Sequence, residues 1–276
     1  MCPTTDSATC PGSKDNGDKG VVLSLCMLAS GSKGNCIHVS AGDKSLLVDA
    51  GLSGREIERR MRQRDLSPDH IQAIMVTHEH ADHVRGVGVL ARRYGLPVYI
   101  SSETESAARS ILGKLPRSCH FHPGSPFVIP PFSIHPFNVS HDAVDPVGLT
   151  ISTNGNRIGI ATDLGIATGL VEQHLKGCQL LVIEANHDPE MLINGPYPWP
   201  LKQRIKSRNG HLSNEAAEAL LRAVMSATLK HVVLGHLSET NNTSHQALKI
   251  VRQAIGTRDI HITVALQDHS GPVLTL

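Results

Sequence analysis

The 276 residues carry 26 Lys and Arg against 25 Asp and Glu, a net charge of +1. No global field therefore draws the chain to nucleic acid or to a membrane surface; any such pull must be local. Hydrophobic residues at 40% and charged residues at 18% describe an ordinary globular chain, without the roughly 20-residue apolar run of a membrane span. Aromatics are only 3%, so the core must be built from Val, Ile, Leu and Ala. The six cysteines (Cys2, Cys10, Cys26, Cys36, Cys119 and Cys178) include no C-x-x-C pair, so a disulfide framework or a thiolate zinc site is not expected. Reduced thiols, with no signal-peptide core at the N-terminus, fit a cytoplasmic protein. The seventeen histidines are the anomaly.

Residues 1–20 hold almost no large apolar side chain and read as a disordered tail. A β-meander follows: strands at 21–29, 36–40 and 45–48, with a glycine-rich turn at 30–35 and a hairpin turn at 41–44. Ser53 with Glu56 three residues on reads as a capping box opening a helix to about Arg64. Arg55, Arg59, Arg60, Arg62 and Arg64 fall on its outer face, which reads as a solvated charged surface. Strands at 74–76 and 97–100 alternate with helices at 84–94 and 103–112. A block of strands then runs through 118–121, 127–129, 132–139, 147–152 and 157–161, with a hairpin signal at Asn154-Gly155. A buried strand at 179–183 leads into 186–210, irregular or helical. Ser213 caps a helix to about Ala227, then come a strand at 231–234, a helix at 244–255 and a strand at 260–265. The order predicts an α+β fold, two sheets face to face with helices outside, in one domain over 21–276.

The strand at 74–76 delivers Thr77-His78-Glu79-His80-Ala81-Asp82-His83 to the start of a helix. Residues two apart on an extended segment point the same way, so His78 and His80 can grip one cation. Asp82 and His83, about a turn on, face a second position beside the first. Imidazoles with a carboxylate suit zinc, and also manganese or iron. Other ligand-type residues close apolar strands: Asp49, His141, Asp163, Glu184 and His236. Singly each is an ordinary loop residue; together they supply enough ligands for two metals.

In this order, Asp49, the H-x-H-x-D-H run, His141, Asp163 and His236 resemble the five motifs of the metallo-β-lactamase superfamily. The resemblance spans roughly residues 21–265. It implies an αββα sandwich with two divalent metal ions, zinc or manganese, at one edge. It implies His78, His80 and His141 on the first ion, Asp82, His83 and His236 on the second, and Asp163 bridging. Asp49 would steady the histidine loop without touching a metal. Residues 28–35, 49–54, 184–188, 210–214 and 235–238 are similar to the YycJ/WalJ group of bacterial nucleases, which implies 5′-to-3′ exonuclease action on DNA. In that group an acidic residue often stands where Thr240 precedes Asn241-Asn242 here, which bears on substrate contacts and not on the metals.

Glu184-Ala185 and His211-Leu212-Ser213 also resemble motifs of tRNA 3′-processing endonucleases of this fold. The resemblance implies a proton donor, His211, oriented by Glu184; with the ligand Asp82 they form the catalytic set. An alkoxide leaving from a phosphodiester needs such a proton. A helix-capping role for His211 beside Ser213 is the plainer alternative. Lys202, Arg204, Lys206 and Arg208, beside the sole Trp199, form two basic rows that suit phosphates or an equally ordinary solvated face. Leu201 and Ile205 would be the buried stripe of that helix. Ser30, Ser32 and Asn35 lie in a turn able to offer backbone N–H groups to a phosphate. The rival reading is a hydrolase of a small cyclic phosphodiester, thioester or lactone, for which the basic row and His211 would have no task.

Overall fold

The computed structural model describes residues 21–276, so the tail expected at 1–20 lies outside the described residues. The first sheet takes β1 (Leu23–Ala29), β2 (Cys36–Ala41), β3 (Lys44–Val48), β4 (Ile71–Met75), β5 (Pro97–Ile100) and β6 (Arg117–His120). The second takes β7 (Phe127–Ile129), β8 (Phe132–Asn138), β9 (Val147–Thr153), β10 (Asn156–Ala161), β11 (Leu180–Glu184), β12 (His231–Gly235) and β13 (His261–Val264). A last strand, β14 (Val273–Thr275), returns to pair antiparallel with β1. Each sheet starts antiparallel and turns parallel, at β3–β4 and at β10–β11. Parallel neighbours need crossovers, and helices supply most of them.

On the first half these helices are α1 (Gly54–Arg62), α2 (Ala81–Val84), α3 (Val87–Tyr94) and α4 (Ser102–Leu112). On the second they are α5 (Gly169–Leu175), α6 (Pro189–Asn194), α7 (Trp199–Lys206), α8 (Asn214–Val224) and α9 (Ser244–Ile255). Strand alternation assigns the layers. Leu23, Leu25 and Met27 point into a core shared with Ile134, Leu149 and Val182 of the other sheet. Cys26 and Leu28, between them in sequence, pack instead with Ile57, Met61 and Leu90 of α1 and α3. Leu181 and Ile183 pack with Leu220, Leu221 and Val251 of α8 and α9. The result is the four-layer αββα sandwich, in which each fully buried Leu or Ile contributes about 1.5–3 kcal/mol.

Some local readings need correction. The helix expected at 84–94 begins at Ala81, breaks, and restarts at Val87. The break falls at Gly86, whose N–H reaches Ala50 O at 2.7 Å. A Cβ there would lie 2.2 Å from Leu52 O, so close backbone contact dictates the glycine. Neither the seven-residue α5 nor the three-residue β14 was anticipated; both are too short to leave a period. The capping box at α1 is half formed: Ser53 Oγ accepts from Glu56 N at 3.3 Å, but the Glu56 carboxylate turns to Arg59 and Arg60. Nor is the arginine face uniformly solvated. Arg60 is buried and its Nη1 donates to Leu28 O and Gln267 O at 2.9 and 2.7 Å, while Arg64 holds Ser270.

One core histidine makes stability depend on pH. His38 on β2 is buried, and burial, with the His70 charge nearby, pulls its pKa down to about 4. Below pH ~6.5 the unfolded chain takes up a proton that the native chain refuses, so stability falls as pH drops from 6.5 toward 4 and is flat above. The shift corresponds to roughly 3 kcal/mol at its limit. Urea midpoints of His38→Leu should therefore fall less between pH 7 and pH 5 than those of the parent; equal falls would show that His38 carries no such linkage.

Candidate metal centre and its cleft

The ligand-type residues meet where the two sheets open at the same edge. Asp49 follows β3, Thr77 to His80 follow β4, Asp163 follows β10, and His236 follows β12. Asp49, Asp163 and His236 adopt left-handed backbone angles, with φ of 59°, 55° and 53°. Such conformations are costly for residues other than glycine and persist where the surroundings hold them. Here they turn three side chains back over the strand ends.

The structure brings all seven expected ligands together. His78, His80 and His141 form one group, and Asp82, His83 and His236 another, with donor atoms within 4.8 Å in each. His141 Nε2 lies 3.3 Å from His80 Nδ1. Asp163 sits between the groups: Oδ2 is 3.4 Å from His83 Nε2, and Oδ1 is 3.3 Å from His236 Nε2 and 4.0 Å from His141 Nε2. His78 Nε2, His236 Nε2 and Asp163 Oδ2 are buried and lack a hydrogen-bond partner. Buried polar atoms are almost always satisfied, so three orphans aimed into one cluster are what cation ligands look like.

Charge points the same way. Burial, reinforced by the surrounding histidines, holds His78 well below its ordinary value, in the neutral form a ligand needs. Burial also pulls on His83, but Asp163 and Asp49 more than offset it and lift its pKa to about 9. His236 is likewise raised well above the usual range against burial, by Asp163, by the nearby Asp82 carboxylate and by its contact with Glu184. The carboxylates thus demand positive charge here, and a bound divalent ion meets that demand without protonating ligands. The donor set fits two such ions.

Several residues hold the ligands in place. Asp49 accepts from Thr77 N at 2.9 Å and from Thr77 Oγ1 at 2.8 Å, and its Oδ2 lies 2.8 Å from His83 Nδ1. That contact leaves His83 Nε2 facing the cluster. His141 Nδ1 donates to Gly210 O at 3.2 Å, aiming its Nε2 inward. The turns interlock through main chain: Asn35 N to Asp82 O at 2.7 Å, Gly51 N to Asn35 O at 2.8 Å, and Ala50 N to His83 O at 2.8 Å. A Cβ on Gly51 would sit 1.6 Å from Asp82 O. Gly51→Ala must therefore displace the turn carrying Asp82 and His83. We expect a loss of roughly 1–3 kcal/mol of stability and of about 100-fold in activity, the scale of a 1 Å misplacement. Denaturant melts and turnover, measured together, check this; an active variant of parental stability would contradict it.

Glu184 is fully buried at the end of β11, and its Oε1 lies 2.7 Å from His211 Nδ1 and 3.0 Å from His236 Nδ1. Its Oε2 accepts from Leu164 N and Leu212 N at 3.0 and 3.2 Å. Burial would push this carboxyl up, but His211 and His236 hold it well below the usual carboxylate range. The same pairing raises His211 despite burial. His211 Nδ1 is thereby committed to Glu184, while the residue lines an open cleft of about 190 Å³ with His236 at its base. The capping of α8 falls to Ser213, whose Oγ accepts from Ala216 N at 3.2 Å, so His211 is not needed there.

Other expected contacts are already occupied. Ser30 is buried and its Oγ accepts from His236 N at 2.8 Å, so it props a ligand and faces no substrate. Asn35 Nδ2 lies 2.9 Å from His83 Nε2 and 3.2 Å from Asp82 Oδ2, so it is spent on the ligand atoms themselves. The N–H groups of Ser30, Gly31, Lys33, Gly34 and Asn35 are all donated internally, so the turn is no phosphate cradle. Ser32 does line the cleft. Lys202 Nζ donates to Ile193 O and Gly195 O, both at 2.7 Å. Arg204 pairs with Asp142, and both line the cleft. Lys206 and Arg208 are exposed, and Arg208 lies beyond the end of α7. Leu201 and Ile205 are only half-buried and face the cleft, not a core. Sequence reasoning passed over Asp142, whose Oδ1 is 3.4 Å from His141 Nε2, and Asn186, whose Nδ2 donates to His236 O at 2.8 Å. Their adjacency to His141 and Glu184 was the available signal.

Comparison with known proteins places the chain in a family. The family described as Beta-lactamase superfamily domain matches residues 44–237. The chain belongs to the metallo-β-lactamase superfamily. Within that superfamily it is 38% identical over 249 residues to Exodeoxyribonuclease YycJ of Bacillus anthracis, covering 90% of this chain and 94% of that one. It is 40% identical over 243 residues to Exodeoxyribonuclease WalJ of Streptococcus pneumoniae serotype 2 strain D39, covering 86% and 90%. Among solved structures, the metallo-β-lactamase fold protein YhfI of Bacillus subtilis superposes with a TM-score of 0.70 at 18% identity, over 93% of this chain and all of that one. The last similarity speaks to the fold alone.

Proposed function

We propose that this protein is a metal-dependent exodeoxyribonuclease that degrades DNA from 5′ ends in the cytoplasm, with zinc or manganese as its two ions. The observation that carries the hydrolytic reading is His211, held by Glu184 at 2.7 Å, in a cleft that it lines together with His236 of the ligand cluster. The nucleic-acid reading rests on the two bacterial relatives named exodeoxyribonucleases, each matched over most of its length. The buried free thiols Cys26, Cys36 and Cys178 suit a reducing compartment.

His78, His80 and His141 would hold one ion, Asp82, His83 and His236 the other, with Asp163 between. Ions bound there supply Lewis acidity toward a phosphoryl oxygen and a water acidic enough to attack at neutral pH. The chain's own residues do the rest. Asp49 and Thr77 fix the histidine loop. Arg204, on the cleft wall, can exchange Asp142 for a substrate phosphate. Glu184 keeps the His211 ring oriented and favours its protonated form, so His211 delivers a proton from Nε2 to the departing sugar oxygen.

The test is end-labelled duplex DNA with a free 5′-phosphate, beside the same duplex blocked at that end. Each is incubated with manganese or zinc, with Asp82→Ala, His83→Ala as control. Mononucleotides released only from the open end, and only by the parent, are expected. Metal-loaded protein that degrades neither duplex would sink the reading and direct attention to small phosphodiesters and thioesters.

A further inference from the structure

The cleft over His211 is built unlike a groove for a polyanion. Its α7 side presents Tyr197, Leu201 and Ile205, all half-buried, with Leu237 also in the lining. Arg204, the one Arg or Lys in its lining, is ion-paired with Asp142 next to His141, while His211 and His236 stand at the end nearer the cluster. A phosphate chain running along the α7 side would face apolar walls with little to balance its charge. A nucleoside fits them better: a flat base against an aromatic and branched aliphatic surface, with hydroxyls at Ser32 and Ser238 for its polar edges. The volume, about 190 Å³, lies below the roughly 300–1,000 Å³ of sites for drug-sized ligands, so it takes about one such unit.

The wall is also held rigid. Lys202 Nζ ties the carbonyls of Ile193 and Gly195, which fixes the segment that carries Tyr197 onto α7. Gly210, whose added Cβ would meet Ile205 O at 2.1 Å, locks the other end of that helix against the His211 turn. Tyr197 therefore stands at a fixed place relative to the ligand cluster.

We propose that this cleft seats the single terminal nucleoside of the strand being cut, with Tyr197 against its base. Resting on the exonuclease reading above, this makes the cleft the element that sets the product to one nucleotide per cut. The phosphate to be cleaved then lies toward the ligand cluster, with Arg204 on the cleft wall available to it.

The experiment compares the parent with Tyr197→Ala and with Leu201→Trp, which fills the cleft. Substrates are a duplex with an intact terminal nucleotide, the same duplex lacking the terminal base, and bis(4-nitrophenyl) phosphate, which has no base. Binding of the two oligonucleotides in EDTA, by fluorescence anisotropy, gives a readout independent of turnover. In Tyr197→Ala, KM and Kd for the intact end should rise about 5- to 100-fold, the range of one base–aromatic stack. That loss should exceed the loss on the chromogenic diester, and removing the terminal base should cost the parent much and the variant little. Leu201→Trp should shift the products from mononucleotides or stop their release. Parental DNA cleavage with Tyr197→Ala equally impaired on all three substrates would overturn the pocket and leave the nuclease reading standing. A parent that cleaves the chromogenic diester but no DNA would overturn both.

Discussion

With two ions held as proposed, Asp163→Asn will cost at least about 10³-fold in kcat/KM and one of those ions. Asp163 lies between the two ligand groups, with Oδ1 3.3 Å from His236 Nε2 and 4.0 Å from His141 Nε2, and Oδ2 3.4 Å from His83 Nε2. Asparagine keeps the shape but removes the charge that draws a second cation close to the first. Losing one positioned electrostatic contact at a reacting centre already costs roughly 10²–10³, and here an ion goes with it. Stability without metal should fall as well. In EDTA the buried carboxylate lies beside His236 and His83, whose charges hold its pKa down against burial. Neutralising it forfeits that pairing, so the variant should melt below the parent in EDTA and further below it with metal present. Metal content by mass spectrometry, turnover and paired thermal melts decide this. Two ions and parental turnover in Asp163→Asn would show that the carboxylate does not bridge.

His211→Ala will lower kcat on DNA by about 10²–10⁴-fold, the usual contribution of a positioned acid. The cut should fall mainly on kcat, because the proton matters only as the P–O bond breaks. With bis(4-nitrophenyl) phosphate the penalty should shrink, since nitrophenolate departs without help. The pH profile adds an independent check. A donor must be protonated, so its contribution is full below its folded pKa and is lost as pH rises through it. Glu184 raises that pKa, placing the loss above ~6.5, the ordinary histidine value. Glu184→Gln should move the basic limb to lower pH. A His211→Ala enzyme equally slow on both substrates, with an unmoved limb, would mean that His211 is structural.

That the ligand-type residues meet at one edge of the sheets was legible because strand-end placement is written in one dimension. An apolar run followed by His or Asp says both where the chain stops being sheet and what it offers there. The opening meander and the Ser213 cap were legible for the same reason: their signals are local. What could not be read was whether a side chain was already spoken for. Ser30, Asn35 and Lys202 each have the right chemistry to meet a phosphate, yet each is spent on His236, on Asp82 and His83, or on two carbonyls. Arg60 looks like its exposed neighbours on α1 until Leu28 O and Gln267 O arrive from distant segments. Partners 32 and 207 residues away leave no trace in spacing. Leu201 and Ile205 have the period of a core stripe, but the space they face is the cleft.

The turns bearing Asp49, Asp82 and His83 are fastened to one another by peptide groups, whereas the cleft wall is made of side chains on α7, in the stretch between β11 and α8. Reactivity and target choice are therefore carried by separable parts of the chain. Residues 189–208 supply that wall and also brace the turn of His211, whose N–H donates to Ile205 O at 2.9 Å: exchanging residues 197–204 alone should redirect the enzyme to a different leaving group or polymer while the turns of Asp49, Asp82 and His83 keep their shape.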